Sequence, residues 1–305
     1  MLRESRGDIN PDAAAALYAK LQPIMDLLRS ARSADYTDWG TGSMKPTSDI
    51  SVRIGMESDL ATMALWESDY RFQADAPGAV SDLDALEAMG RDNVDSTIGL
   101  LIQDRTHSSI VSMLAQNIGS LGSASSSDLS DLLGDAPILQ IFQAGMNEET
   151  ALAQAAMDEY NNPATRSNSF FQKTGVTPPT NAEVQSLTQT EQALAGTLQE
   201  PDAQFQQWWA QQQAQESSSN TVVSEALAAL PVIRAKTQAS LVQNAMVQAA
   251  VAFNQNGQSG LQSILDPITG QPFTYMQTAT GFQLGSTMQV SGKPVTMTFA
   301  NPPAK

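Results

Sequence analysis

The sequence predicts a mainly α fold: a multi-helix, antiparallel, bundle-like body in one or two lobes, closed by a small C-terminal antiparallel β-meander. Three observations carry that expectation. Through most of the chain, apolar residues recur at three- and four-residue steps. From 272 to 300 the period falls to two, with Gly between the runs, which is the mark of short strands. With 305 residues and 41% hydrophobic residues, the chain can fill one large core or two ordinary ones.

The elements follow in order. Asn10-Pro11 starts a helix, Asn as cap and Pro at the first helical position. Pro23 begins a second helix that places Ile24, Leu27 and Leu28 on one face. It ends in "SADYTDWGTGS", where Gly40 and Gly42 stop it. Helical spacing returns at Met56, Leu60, Met63 and Tyr70, then over Val80 to Gly90 and Asp92 to Ile118. Ser127 or Asp128 caps a short helix ending at Gly134. Asp135 to Tyr160 is helical, with a joint at Asn147-Glu148-Glu149. These elements form an N-terminal helical lobe, 1–160, and an irregular linker follows at 161–182. The C-terminal lobe, 183–305, holds a Gln-rich helix broken at Pro201 and a long amphipathic helix from Thr221 to Asn254. In that last helix Leu241, Val242, Ala245, Met246, Ala249 and Phe253 share one face, while Gln243, Asn244 and Gln248 take another. Pro231 kinks or restarts it. "PFTYMQT", "GFQLGSTMQV" and "KPVTMTF" are the strands, resting on this helix. Asp266-Pro267 starts the turn into them, and Gly270 supplies a positive φ.

Composition excludes several function classes. Lys plus Arg number 16 against 32 Asp plus Glu, a formal charge of -16. Such a surface repels phosphate backbones and anionic lipid surfaces, so nucleic acid is not an expected partner. The absence of cysteine removes disulfides, thiolate nucleophiles and Cys-ligated zinc. With a single histidine besides, no metal and no cofactor is expected. No apolar run approaches the length of a membrane span. The first residues contain no signal-peptide core, which leaves a cytoplasmic protein or a mature form whose leader was replaced by Met1.

Two stretches carry a resemblance. "DPITGQPFTYMQTATGFQLGS", with Asp266, Pro267, Gly270, Pro272, Tyr275, Gly281 and Phe282, resembles the C-terminal hairpin of exported helical proteins of planctomycetes, verrucomicrobia and related bacteria. "LLRSARSADYTDWG", ending in Asp38, Trp39 and Gly40, is similar to a second hallmark of that group, although Thr37 stands where a Cys often precedes the motif. The hairpin also resembles, locally, the C-terminal strands of type II secretion pseudopilins. The resemblance implies an exported, periplasmic or envelope location and no particular activity.

Candidate chemistry is sparse. His107 lies near an apolar face with Asp104 one turn earlier, an arrangement suited to a general base and equally to a structural histidine at a core edge. Asp35 and Asp38 flank Tyr36 beside Trp39, as glycosidase carboxylates flank a sugar. Their closeness in one turn fits a braced turn better. The acidic stretch Ser125 to Asp135 offers oxygen ligands for calcium, but its spacing fits a helix cap. Trp208, Trp209, Phe170 and Phe171 are the candidate binding aromatics. Adjacent helical positions point about 100° apart, so one Trp reaches the core and the other a groove edge. The functional expectation is a non-enzymatic interaction or structural protein, with a protein partner or self-association. The alternative is a carboxylate-based hydrolase or glycan-binding protein.

Overall fold

The computed structural model describes residues 11–32, 50–91, 97–123, 126–215 and 220–300. Among them eleven α-helices precede a three-stranded antiparallel sheet, the mainly α class that the two periods predict. The first helices are α1 (Pro11–Ala31), α2 (Ile50–Arg71), α3 (Ala76–Arg91) and α4 (Thr97–Gln116). A 3-10 turn at Ile118–Ser123 leads to α5 (Ser126–Leu133) and α6 (Asp135–Asn161). Then come α7 (Phe170–Thr174), α8 (Asn181–Gly196), α9 (Asp202–Gln215), α10 (Thr221–Asn256) and α11 (Gln258–Ser263). The strands are β1 (Thr274–Thr278), β2 (Gly281–Val290) and β3 (Lys293–Ala300).

Several boundaries differ from those expected. Pro23 does not begin a helix but lies inside α1. Ala19, whose carbonyl Pro23 leaves unpaired, is exposed, so water can take its place. Likewise Pro231 does not restart α10, which runs 36 residues without interruption. No joint divides α6 at Asn147. The Asn147 side chain accepts from Gln143 Nε2 at 3.2 Å and so stays off the backbone. Ser127 and Asp128 fall inside the first turn of α5, not before it. Within 161–182 stand a short 3-10 turn and α7. The break before Pro201 is where expected: Thr197 to Pro201 separates α8 from α9. Asp35, Asp38, Trp39 and Gly40 lie outside the described residues.

Local chemistry explains the clean starts. Thr180 and Glu183 form a reciprocal capping box on α8. Asn220 accepts from the N–H groups of Val222 and Val223 to start α10, and its amide donates to the Thr177 carbonyl at 3.1 Å. Such a cap contributes about 1 kcal/mol.

Two large apolar clusters meet along α10. The first joins Met25 of α1, Leu83 and Leu86 of α3, Ile110 and Leu114 of α4, Val242 and Met246 of α10, Leu284 of β2 and Phe299 of β3. It therefore draws on both sides of 161–182. The second joins Leu100 of α4, Phe142 and Met146 of α6, Leu194 of α8, Phe205 and Trp209 of α9, and Leu230 and Ile233 of α10. Full burial of each such side chain stabilises by about 1.5–3 kcal/mol. Enclosure on most sides also explains a correction. Asn244, expected on a polar face, is wholly buried. From Thr237 to Ala250 no residue of α10 is exposed, and no solvent face remains for it.

α3 breaks the apolar-inside pattern. Asp82 and Asp84 are buried, and arginines meet both. Arg29 of α1 and Arg71 of α2 converge on Asp82, with Arg71 at 2.8 Å. Arg32 pairs with Asp84 and reaches Asp131 of α5. Removing one partner from such a buried pair costs far more than the pair itself contributes.

The sheet has the order β1-β2-β3. Thr274 pairs with Gly285 and Thr278 with Gly281. Phe282 pairs with Phe299, and the β2–β3 register shifts between Gly285 and Gln289. β2 and β3 rest on α10, as the alternating pattern predicts, and β3 also touches α4. Phe253 of α10 meets the rings of Tyr275 and Phe282.

Candidate functional site

The most unusual chemistry lies where α4 packs against both α3 and α10. His107 of α4 is 2% exposed. Its Nδ1 meets Glu87 Oε1 of α3 at 3.0 Å, and its Nε2 meets Asn244 Oδ1 of α10 at 2.8 Å. With the Asn244 oxygen turned to the ring both partners accept, an arrangement that favours the protonated imidazole. Burial works against that charge, but the Glu87 carboxylate and the two hydrogen bonds outweigh it and raise the pKa of the ring.

Asp104 stands one turn before His107 on the same helix. Its Oδ1 accepts from Ser240 Oγ of α10 at 3.4 Å, and its Oδ2 is sealed from solvent. Burial pushes the carboxyl up to about 7, against the pull of His107, the Ser240 bond and Lys236. Beside these groups is a cavity of about 10 Å³. Glu87, Gln103, Asp104, His107, Thr237 and Ser240 form its polar wall, and Leu100, Ile138, Ile141 and Phe142 its apolar one. That space suits one water and is far too small for a sugar ring.

The expected orientation of His107 is corrected in one respect. Glu87, not Asp104, holds the ring nitrogen. Glu87 follows Leu83 by one helical turn, so the apolar period already placed it inward. Asn244 carried no such signal, because its partner lies 137 residues away.

The other predicted residues are dispersed. Trp209 is buried against Phe205, while Trp208 is half-buried at the edge of the same cluster. Phe171 is buried edge-on against Tyr160, and Phe170 is exposed. The Asp266 motif is structural. Asp266 is buried, and its Oδ1 accepts from the N–H groups of Ile268 and Thr269 at 2.8 and 3.0 Å. Ser286 of β2 donates to its other oxygen. Gly270 donates its N–H to the Asp266 carbonyl from a φ of 67°. Pro272 bridges to Leu265 and closes the loop. Tyr275 and Phe282 stack on one another, and Gly281 opens β2. The motif clasps β2 to the loop that follows α11 through hydrogen bonds.

Among the described residues no group of three or more His, Cys, Asp or Glu is placed to hold a metal. No described helix is long and apolar enough to cross a membrane. Compared with known proteins, the chain matches no family model, no curated protein and no solved structure.

Proposed function

We infer that this chain is a non-enzymatic interaction or structural protein, exported or envelope-associated, that docks a protein partner along its sheet edge. The observation that carries this reading is β1. Among the described residues the strand pairs on one side only, with β2. Its residues Thr274 to Thr278 carry no charge, and Met276 is 56% exposed. Natural edge strands are usually guarded by Lys, Pro or a bulge, because unpaired backbone groups template further pairing. β3 begins with Lys293 and Pro294, and β1 has no such guard. An extended partner segment adding to β1 would gain backbone hydrogen bonds, with Met276 and Tyr275 as apolar anchors.

Light-scattering chromatography on the native and recombinant chains tests this, with co-purifying proteins identified. A higher-order mass or a partner is expected, and Met276→Lys should abolish it while shifting stability by less than about 0.5 kcal/mol. A monomer without a partner from both sources would sink the reading.

A carboxylate-based hydrolase or glycan-binding protein is the second reading. It draws support from Asp104, whose carboxyl at about 7 could exchange a proton at neutral pH. Against it stands the cavity, which admits a water and no glycan.

A further inference from the structure

Four buried polar atoms on residues that line the cavity beside His107 have no hydrogen-bond partner among the described residues. Glu87 Oε2, Gln103 Nε2, Asp104 Oδ2 and Thr237 Oγ1 are all sealed from solvent and unpaired. All four residues line the same cavity, from helices α3, α4 and α10. Buried polar atoms are seldom left without a partner. Four of them around a space the size of one water mark a built polar site. Gly90 of α3 belongs to it: a Cβ there would lie 1.7 Å from Gln103 Oε1, so the helix leaves room for that carboxamide.

We propose that this cavity binds one internal water together with one exchangeable proton, the proton carried on Asp104 Oδ2. The donors and acceptors fit this arrangement, and two carboxylates lining one cavity select it. Water offers two hydrogens and two lone pairs. With Asp104 protonated, its O–H and a Gln103 N–H donate to the water. The water in turn donates to Glu87 Oε2 and Thr237 Oγ1, so all four sealed atoms gain partners. With Asp104 ionised the Thr237 hydroxyl would turn to donate and the four atoms would again be partnered, but two carboxylates, Glu87 and Asp104, would then share one water in a poorly polarisable core, and that like-charge cost selects the protonated form. The step itself is simple: the Asp104 O–H bond breaks, the electron pair stays on the carboxylate, and the proton passes to solvent.

The surroundings fit. The charged groups acting on Asp104 are His107 on its own helix, Lys236 of α10 and Glu87 of α3. Those acting on His107 are Glu87 and Asp104. α6 presents Ile138, Ile141 and Phe142, which carry no charge. His107 is already engaged by Glu87, which leaves Asp104 without a dedicated cation. A rise from 3.8 to about 7 makes Asp104 a roughly thousand-fold weaker acid than the free side chain.

The chain has one histidine, so its ring nitrogens give a unique signal. The test is nitrogen-15 magnetic resonance of the His107 ring in the full chain, from about pH 5 to about pH 9. An inflection near pH 7 is expected in the wild type, reporting proton loss at Asp104, and it should vanish in Asp104→Asn. A cross-relaxation peak between water and the Gln103 side-chain amide should accompany the protonated form and disappear in Thr237→Val. An identical His107 profile in wild type and Asp104→Asn would overturn the proposal. So would a profile that follows sodium concentration at constant pH, which would assign the site to a cation. If the variants do not fold, the wild-type profile decides: a ring without an inflection near neutrality refutes the proton site.

Discussion

Replacing Asp266 by Ala should cost the protein about 2–4 kcal/mol, and the figure follows from three named hydrogen bonds. Asp266 Oδ1 takes the N–H groups of Ile268 and Thr269, and Oδ2 takes the Ser286 hydroxyl. The two backbone donors are half-buried, so water recovers part of their bonding once the carboxylate is gone. Their loss resembles that of a helix N-cap, about 1 kcal/mol. The Ser286 hydroxyl is buried and cannot be rehydrated in the same way, which adds about 1–3 kcal/mol. Asp266→Asn is the sharper control. It keeps an acceptor for both N–H groups, and its amide can donate to Ser286 Oγ, which already accepts from the Met288 N–H at 2.8 Å. Asn should therefore recover at least half of the loss. Urea unfolding followed by circular dichroism measures both variants. If Asp266→Ala falls within about 0.5 kcal/mol of wild type, the clasp does not hold the sheet and the reasoning fails.

Asp104 and His107 both have pKa values raised by folding, so the native state holds more protons and stability falls as pH rises. For Asp104 the window runs from the ordinary carboxyl value of 3.8 to about 7, and the loss is at most about 4 kcal/mol. Unfolding free energies across that range should decline in wild type and flatten in Asp104→Asn. Arg234→Met should destabilise by about 3 kcal/mol in thermal unfolding, because the buried guanidinium serves the carbonyls of Thr197 and Glu200 between α8 and α9. Gly90→Ala should lower stability and displace Gln103, which a changed Gln103 side-chain amide signal would reveal; an unchanged signal would contradict the close approach.

The helical body was legible because its cause is local. Apolar residues at helical steps, caps such as Thr180 with Glu183, and Gly or Pro at breaks all act within a few residues of one another. The sheet was legible for the same reason, and so was the Asp266 turn, whose φ-positive Gly and side-chain acceptor lie within five residues. The errors also share a cause. Pro23 read as a start and Pro231 as a kink or restart, yet both helices continue through, because packing along the rest of each outweighs one missing hydrogen bond. Asn244 read as polar surface because periodicity cannot tell a solvent face from one covered by another helix.

By itself the sequence determined the fold class, the order of its elements, the acidic charge and the turn that starts the meander, since the elements and the turn depend on residues close along the chain. Only the tertiary structure decided that His107 is held by Glu87 and Asn244. It alone placed Arg29 and Arg71 on one buried aspartate, left β1 paired on one side among the described residues, and brought four residues with sealed polar atoms to one cavity. These features depend on which helix faces meet across distances of up to 137 residues. Charge and burial become chemistry only when such faces close on one another and exclude water.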